Sequence, residues 1–239
     1  MNSSFERSPQ RYARLAGVLY LAIILLGLFG EVFVRGTLVA PGDAAATAHN
    51  ISSSPLLWRA GIAGDLLMQV FDVPVIVIFY FLFRPVNEHL ALLATLMNLV
   101  QTAVLAANKL NMVVPLLLLN GGGYLNTFSP EQLYTLSYAA IDAHGFGFAI
   151  GLIFFGFACL VQGYLMFHAS YFPKVLAVLL AIAGLCYLVN SFALLLAPKL
   201  ATALFPDVLI PPFIGELLLA LWLTVKGINM EQWKQRGTT

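Results

Sequence analysis

The chain has 239 residues, 60% of them hydrophobic and only 10% charged; soluble domains carry about 25% charged residues, so a soluble enzyme and a disordered protein are both excluded. Twelve basic and eleven acidic residues leave a net charge of +1, which supplies no basic field for nucleic acid. Two cysteines, Cys159 and Cys186, cannot build a disulfide scaffold, and a mean hydropathy of +0.88 describes a polytopic helical membrane protein.

A helix that crosses a bilayer needs about 20 mostly apolar residues. Six stretches qualify, at approximately 12–34, 56–83, 90–119, 143–167, 174–197 and 208–228. They predict an all-α bundle of six transmembrane helices forming one transmembrane domain over residues 1–239. The first span is uncharged from Leu15 to Gly30 and reaches Val34 with Glu31 at the interface. No small-x-small site closes it, which disfavours a cleaved signal peptide. After Pro41-Gly42, Asp43 predicts the cap of a short helix. The second span carries Arg59, Asp65, Gln69 and Asp72, and the third carries Lys109. Beyond Gly121-Gly122-Gly123, Ser129-Pro130 with Gln132 reads as a capping box. The helix begun there runs into the fourth span, and either outlasts the bilayer or breaks near Gly145 and Gly147. Gly145 to Phe167 and Val175 to Ala197 are uncharged, and Val208 to Val225 carries only Glu216.

Lysines and arginines concentrate in cytoplasmic loops. Six spans put both termini on one side, with Arg7, Arg11, Arg14, Arg84, Lys174, Lys226, Lys234 and Arg236. The other side holds Arg35, Arg59 and Lys199. Both termini are therefore expected in the cytoplasm, in a multi-pass protein of the cell's inner membrane.

An ionisable residue at the centre of a span costs ~2.5–3.5 kcal/mol on insertion scales. Asp65, Asp72, Lys109 and Glu216 all face that cost. At 1.5 Å per residue, Asp65, Lys109, Asn190 and Glu216 fall roughly 10–15 Å below the outer ends of their spans, and Asp72 roughly 22 Å. Asp65, Gln69 and Asp72 stand at i, i+4 and i+7 on one stripe. Asn98, Gln101, Asn108, Lys109 and Met112 share one arc of span three, and Tyr20, Gly27 and Glu31 one face of span one. These faces are expected to look into the bundle. One account makes the layer structural, with Lys109 paired to an aspartate and amides bonded across helices. Another makes it an outward-facing binding site, because three deep acids against one lysine leave two carboxylates to hold protons, bind a cation or meet water.

Asp142 and His144 lie at the outer mouth of span four. Residues two apart point about 200° away from each other, so both face one cavity only if the helix breaks at the following glycines. No phosphate loop, dinucleotide fingerprint, zinc spacing or nucleophile elbow occurs, so neither a cofactor nor a metal is expected. Cys159 and Cys186 read as inert thiols. Ala16-Gly17-Val18-Leu19-Tyr20-Leu21 is echoed by Ala183-Gly184-Leu185-Cys186-Tyr187-Leu188, and Gly64-Asp65-Leu66-Leu67 by Gly215-Glu216-Leu217-Leu218. This is a weak parallel repeat.

Further motifs are Arg14-Leu15-Ala16-Gly17 with Tyr20, Pro41-Gly42-Asp43-Ala44-Ala45, Asp65-Leu66-Leu67, Arg84-Pro85-Val86-Asn87 and Asp142-Ala143-His144. Tyr171-Phe172-Pro173-Lys174, Phe205-Pro206, Pro212-Phe213-Ile214-Gly215-Glu216 and Trp222 with Lys226-Gly227 and Asn229 follow. In this set, spread over residues 11–229, the chain resembles a bacterial family of integral membrane proteins defined only as domain of unknown function 4386. The resemblance implies a helical membrane protein and no catalytic residue.

Three functions fit these observations. The first is binding or transport of a small cation, a proton or an amphiphile at Glu31, Asp65, Gln69, Asp72, Asn108, Lys109, Asp142, His144, Asn190 and Glu216, in a homodimer because six spans are few for a transporter. The second is an intramembrane enzyme acting on a lipid or quinone, with Asp142 or His144 as the acid–base group. The third is a structural or sensory membrane subunit. The topology is checked with C-terminal fusions. Alkaline phosphatase is expected to be inactive there and a fluorescent protein bright; strong phosphatase activity would overturn the orientation.

Overall fold

The computed structural model describes residues 8–236. Arg7, counted above among the cytoplasmic charges, lies outside the described residues. Every regular element among them is helical. In chain order these are α1 (Pro9–Leu28), continued by a π-helical stretch Phe29–Arg35 and a last turn Gly36–Leu38; α2 (Ala44–Ser53); α3 (Pro55–Phe83); α4 (Glu88–Asn108); α5 (Leu110–Leu119); α6 (Pro130–His168); α7 (Lys174–Leu196); α8 (Pro198–Leu204); α9 (Ile210–Val225); and α10 (Met230–Arg236). Short 3₁₀ turns cover Gly123–Leu125 and Asp207–Leu209. Six spans are long and apolar enough to cross a bilayer: Pro9–Leu38, Pro55–Phe83, Glu88–Leu119, Pro130–His168, Lys174–Leu196 and Asp207–Val225. The chain is a multi-pass membrane protein.

The helix starts follow the local chemistry. Asp43 Oδ1 accepts from the Ala46 N–H at 2.8 Å, which caps α2. Ser129 and Gln132 form the reciprocal box at the start of α6: the Ser129 N–H donates to Gln132 Oε1 at 2.8 Å, and the Gln132 N–H to Ser129 Oγ at 3.3 Å. From there α6 runs 39 residues without a break at Gly145 or Gly147. At 1.5 Å per residue that is roughly 58 Å, against a hydrocarbon core of about 30 Å, so its first turns stand outside the membrane. Span three is broken at Lys109, where the sequence predicts one helix. The Lys109 N–H reaches back only to Ala106 O, at 3.2 Å. Pro115 lies inside α5, so the carbonyl of Asn111 loses its i+4 donor and is pushed aside by the ring.

The chain divides into two compact units. One comprises Ile24–Val70 and Ala103–Phe148; the other comprises the chain up to Ile23, Phe71–Thr102 and everything from Ala149 onward. The first unit has a core of Val34, Leu38, Ile51, Trp58, Ile62, Met112, Leu116 and Ile141. Trp58 is fully buried there and its indole N–H donates to Met112 O at 2.8 Å. The second unit is held by close helix contacts at small residues. A Cβ on Gly184 of α7 would stand 2.6 Å from the Gly156 carbonyl of α6 and 3.1 Å from Cys159 Cβ; one on Gly163 would stand 3.0 Å from Ala177 O. Small residues let helix backbones approach where there is no water to drive association. At the chain's two ends, the Gln10 amide donates to Lys226 O at 2.6 Å and accepts from the Ile228 N–H at 2.8 Å, pinning the turn at Gly227.

The glycines separate a packing requirement from indifference. Gly184→Ala forces backbone apart and is expected to cost about 1–3 kcal/mol, as overpacking does. A Cβ on Gly145 meets open space, so Gly145→Ala is expected to be neutral or stabilising by about 0.5–1 kcal/mol through its helix preference. Thermal unfolding of both variants in detergent checks the pair; equal effects would remove the role given to the α6–α7 contact.

Candidate functional site

In the first unit, polar groups from four spans join in one hydrogen-bonded cluster. The π-helical stretch Phe29–Arg35 ends on Arg35. Its guanidinium donates through Nε to Glu31 Oε2 and through Nη1 to Asp65 Oδ2, both at 2.7 Å. Lys109, at the break between α4 and α5, donates to the same Asp65 oxygen at 2.8 Å. Its Nζ also lies 2.9 Å from His144 Nε2 of α6. A charged lysine has only hydrogens to offer, so Nε2 accepts and the neutral imidazole carries its hydrogen on Nδ1. Asn108 Nδ2 donates to His144 O at 2.8 Å and its Oδ1 accepts from Asn111 at 2.9 Å.

Glycines make this convergence possible. A Cβ on Gly30 would run into Asp65 Oδ1 and the Arg35 guanidinium, and one on Gly147 would run into the Asn108 amide. Asp65 is 1% exposed and Lys109 3%, whereas the Glu31 side chain is 68% exposed. Two carboxylates and two cations therefore balance around a neutral imidazole. Of the three deep acids only Asp65 lies in this unit, and Arg35, counted with the outer loop, folds back to give it a second cation. Two buried acceptors on one stripe of α3, Asp65 Oδ1 and Gln69 Oε1, have no hydrogen-bond partner.

Asp142 and His144 part company. α6 is unbroken, Asp142 is exposed and His144 is buried, which is the outcome helical phase requires when the glycines do not interrupt the helix.

The second unit holds a different set. Thr102 Oγ1 of α4 is hydrogen-bonded to Asp72 Oδ2 of α3, and the Tyr187 hydroxyl of α7 to Glu216 Oε1 of α9. Tyr20 of α1 lies beside the same Glu216 carboxyl. Among the described residues neither Asp72 nor Glu216 is in an ion pair, and their polar partners are hydroxyls. Glu216 is thus grouped with tyrosines of its own unit, while Asp65 and Lys109 meet each other. Asn190 is half-buried on α7. Sequence reasoning gave Arg35, Thr102 and Tyr187 no part. Only Arg35 carried a signal, its i, i+4 spacing from Glu31.

Residues 15–227 match the family described as Domain of unknown function (DUF4386), and the chain belongs to that family. An uncharacterized protein of Archaeoglobus fulgidus is 27% identical over 171 residues, which is 72% of this chain and 86% of that protein. No solved structure gives a significant match.

The contrast in burial yields a stability test. Lys109→Met leaves a buried carboxylate short of one cation and is expected to cost ~3–5 kcal/mol, as for one partner of a buried pair. Glu31→Gln touches only an exposed partner and should cost ~0–1 kcal/mol. Thermal unfolding of the two variants side by side measures this; comparable losses would mean that Asp65 does not depend on Lys109.

Proposed function

We propose that this chain is a proton-binding membrane protein that takes up and passes a proton along Asp65, Lys109 and His144, in the cell membrane with both termini in the cytoplasm. The observation that carries the reading is the position of Lys109 Nζ, within 2.9 Å of both a buried carboxylate oxygen and an imidazole nitrogen. Carboxylate, amine and imidazole form one hydrogen-bonded series, and intramembrane ionisable residues so linked are the usual parts of proton relays. Two cations already neutralise Asp65, which argues against a cationic ligand there. The unpartnered Asp65 Oδ1 and Gln69 Oε1 are acceptors that a proton-carrying water would satisfy. An enzyme acting on lipid is less well supported, because Asp142 faces away from His144 and the imidazole Nε2 is engaged by Lys109.

The test uses liposomes containing the purified full chain and a trapped pH dye, with an imposed potassium diffusion potential. The wild type should acidify or alkalinise the lumen with the sign of the potential. His144→Gln separates relay from scaffold: the Gln carbonyl can still accept from Lys109 but cannot carry a proton. It is expected to keep the wild-type melting temperature and to lose the flux. Flux retained in His144→Gln, or no flux in the wild type, overturns the proposal.

A further inference from the structure

The second unit contains a group of buried and half-buried oxygens that the relay does not use. Asp72 on α3 is joined to Thr102 on α4. Thr102 Oγ1 also lies 3.0 Å from the carbonyl of Asn98. A hydroxyl has one hydrogen, so donating to both acceptors would divide it between them. Each contact has a full hydrogen when Asp72 is the un-ionised acid, donating to Thr102 while Thr102 donates to Asn98 O. Among the described residues no basic side chain pairs with Asp72, which is what an un-ionised acid in a bilayer requires.

Two further observations point to a ligand. Asn98 is 4% exposed and Gln101 7%, and the side-chain amide oxygens of both are buried with no hydrogen-bond partner. They stand at i and i+3 with Thr102 at i+4, so all three occupy the face of α4 that reaches Asp72. An unsatisfied buried polar atom is costly, and two of them on the helix face that carries Thr102 are hard oxygens without a donor. The remaining titratable groups around Asp72 are acids or neutral: Glu216 on α9 and Cys159 on α6 are within electrostatic range of it, and Tyr20 and Tyr187 lie beside Glu216.

We propose that Asp72, Thr102, Asn98 and Gln101 form a monovalent-cation site at which the cation exchanges with the proton of Asp72. The O–H bond of the acid breaks, the proton leaves to water, and the carboxylate oxygen takes the cation together with the Thr102 hydroxyl and the two amide oxygens; nothing is oxidised or reduced. Hard cations take oxygen ligands. One carboxylate balances one positive charge, whereas a divalent ion would leave a buried net charge. The site shares no residue with the Asp65–Lys109–His144 series, so either reading can fail alone.

The experiment uses the purified full chain in detergent at fixed ionic strength, with sodium as the probe and choline as the control. In weakly buffered solution, sodium should release up to one proton per chain. At a concentration about 100 times the dissociation constant it should favour the folded state about 100-fold, read as a raised melting temperature. Infrared difference spectra should show the stretch of the un-ionised carboxyl disappear as sodium is added. Asp72→Asn should abolish all three effects. Asn98→Ala and Gln101→Ala should fold and weaken sodium binding at least 10-fold while keeping the un-ionised carboxyl band without sodium, which preserves the test if Asp72→Asn does not fold. No proton release and no sodium-specific shift, a response to magnesium or calcium alone, or sodium binding unchanged in both amide variants would overturn the proposal.

Discussion

The carboxylate of Asp65 sets the arrangement of its unit, because a charge in a bilayer must be matched by other groups of the protein. At 1% exposure it has no access to lipid or bulk water, and an isolated buried ion is among the costliest defects a fold can carry. It is matched by Arg35 and Lys109 from two different spans, and Lys109 in turn brings in His144 of a third. Other features of the unit follow from holding these groups within hydrogen-bonding distance. Gly30 leaves room for Asp65, Gly147 leaves room for Asn108, and the indole of Trp58 anchors α5 through Met112 O.

The two polar groups solve the same problem by different chemistry. Around Asp65, charge meets charge, and the arrangement depends on its buried cation Lys109. Around Asp72 and Glu216 the partners are hydroxyls, which stabilise a neutral acid without demanding that it ionise. A carboxyl matched by two cations is fixed in place by them. A carboxyl matched by a hydroxyl can exchange its proton at much smaller electrostatic cost. The first arrangement suits a fixed relay element, and the second suits a group that gains and loses an ion.

Much of this was legible in the sequence, for reasons tied to particular residues. Span count came from unbroken apolar stretches, since charge is excluded from a bilayer. The caps at Asp43 and Ser129 were legible because they are local and use side chains with few alternative roles. Asp65, Lys109 and Glu216 stood out because an ionisable residue in a span has no neutral explanation. What could not be read was pairing. Helical phase says which face a residue occupies, and Asp65 and Glu216 have equivalent depths and faces, yet one meets a lysine and the other a tyrosine. Tyr187 and Thr102 carry no charge and look like ordinary span residues. Arg35 was misassigned because a residue just past an apolar stretch reads as loop, while its long stem lets the guanidinium turn back into the span. The Gln10 clamp on Lys226 and Ile228 joins residues more than 200 positions apart, a separation that no local pattern reports.

Backbone irregularity follows the polar residues closely. The π-helical stretch contains Glu31 and ends on Arg35. The interruption of span three falls on Lys109 itself. Pro74, inside α3, lies two residues from Asp72. In lipid a freed backbone group must find a partner within the protein, so a break in a span persists only where polar atoms can receive it. The converse also holds. A regular helix fixes side-chain directions at 100° intervals, and bringing groups from four spans into one hydrogen-bonded cluster is easier when some of those helices depart from regularity. π-turns and proline breaks occur often at functional sites for this reason. Here they coincide with the residues whose charge or proton the membrane would otherwise exclude. The irregular backbone and the buried ionisable groups are therefore two aspects of one solution, in which each break supplies the direction that a charged or proton-bearing side chain needs, and that side chain's hydrogen bonds help to hold the break.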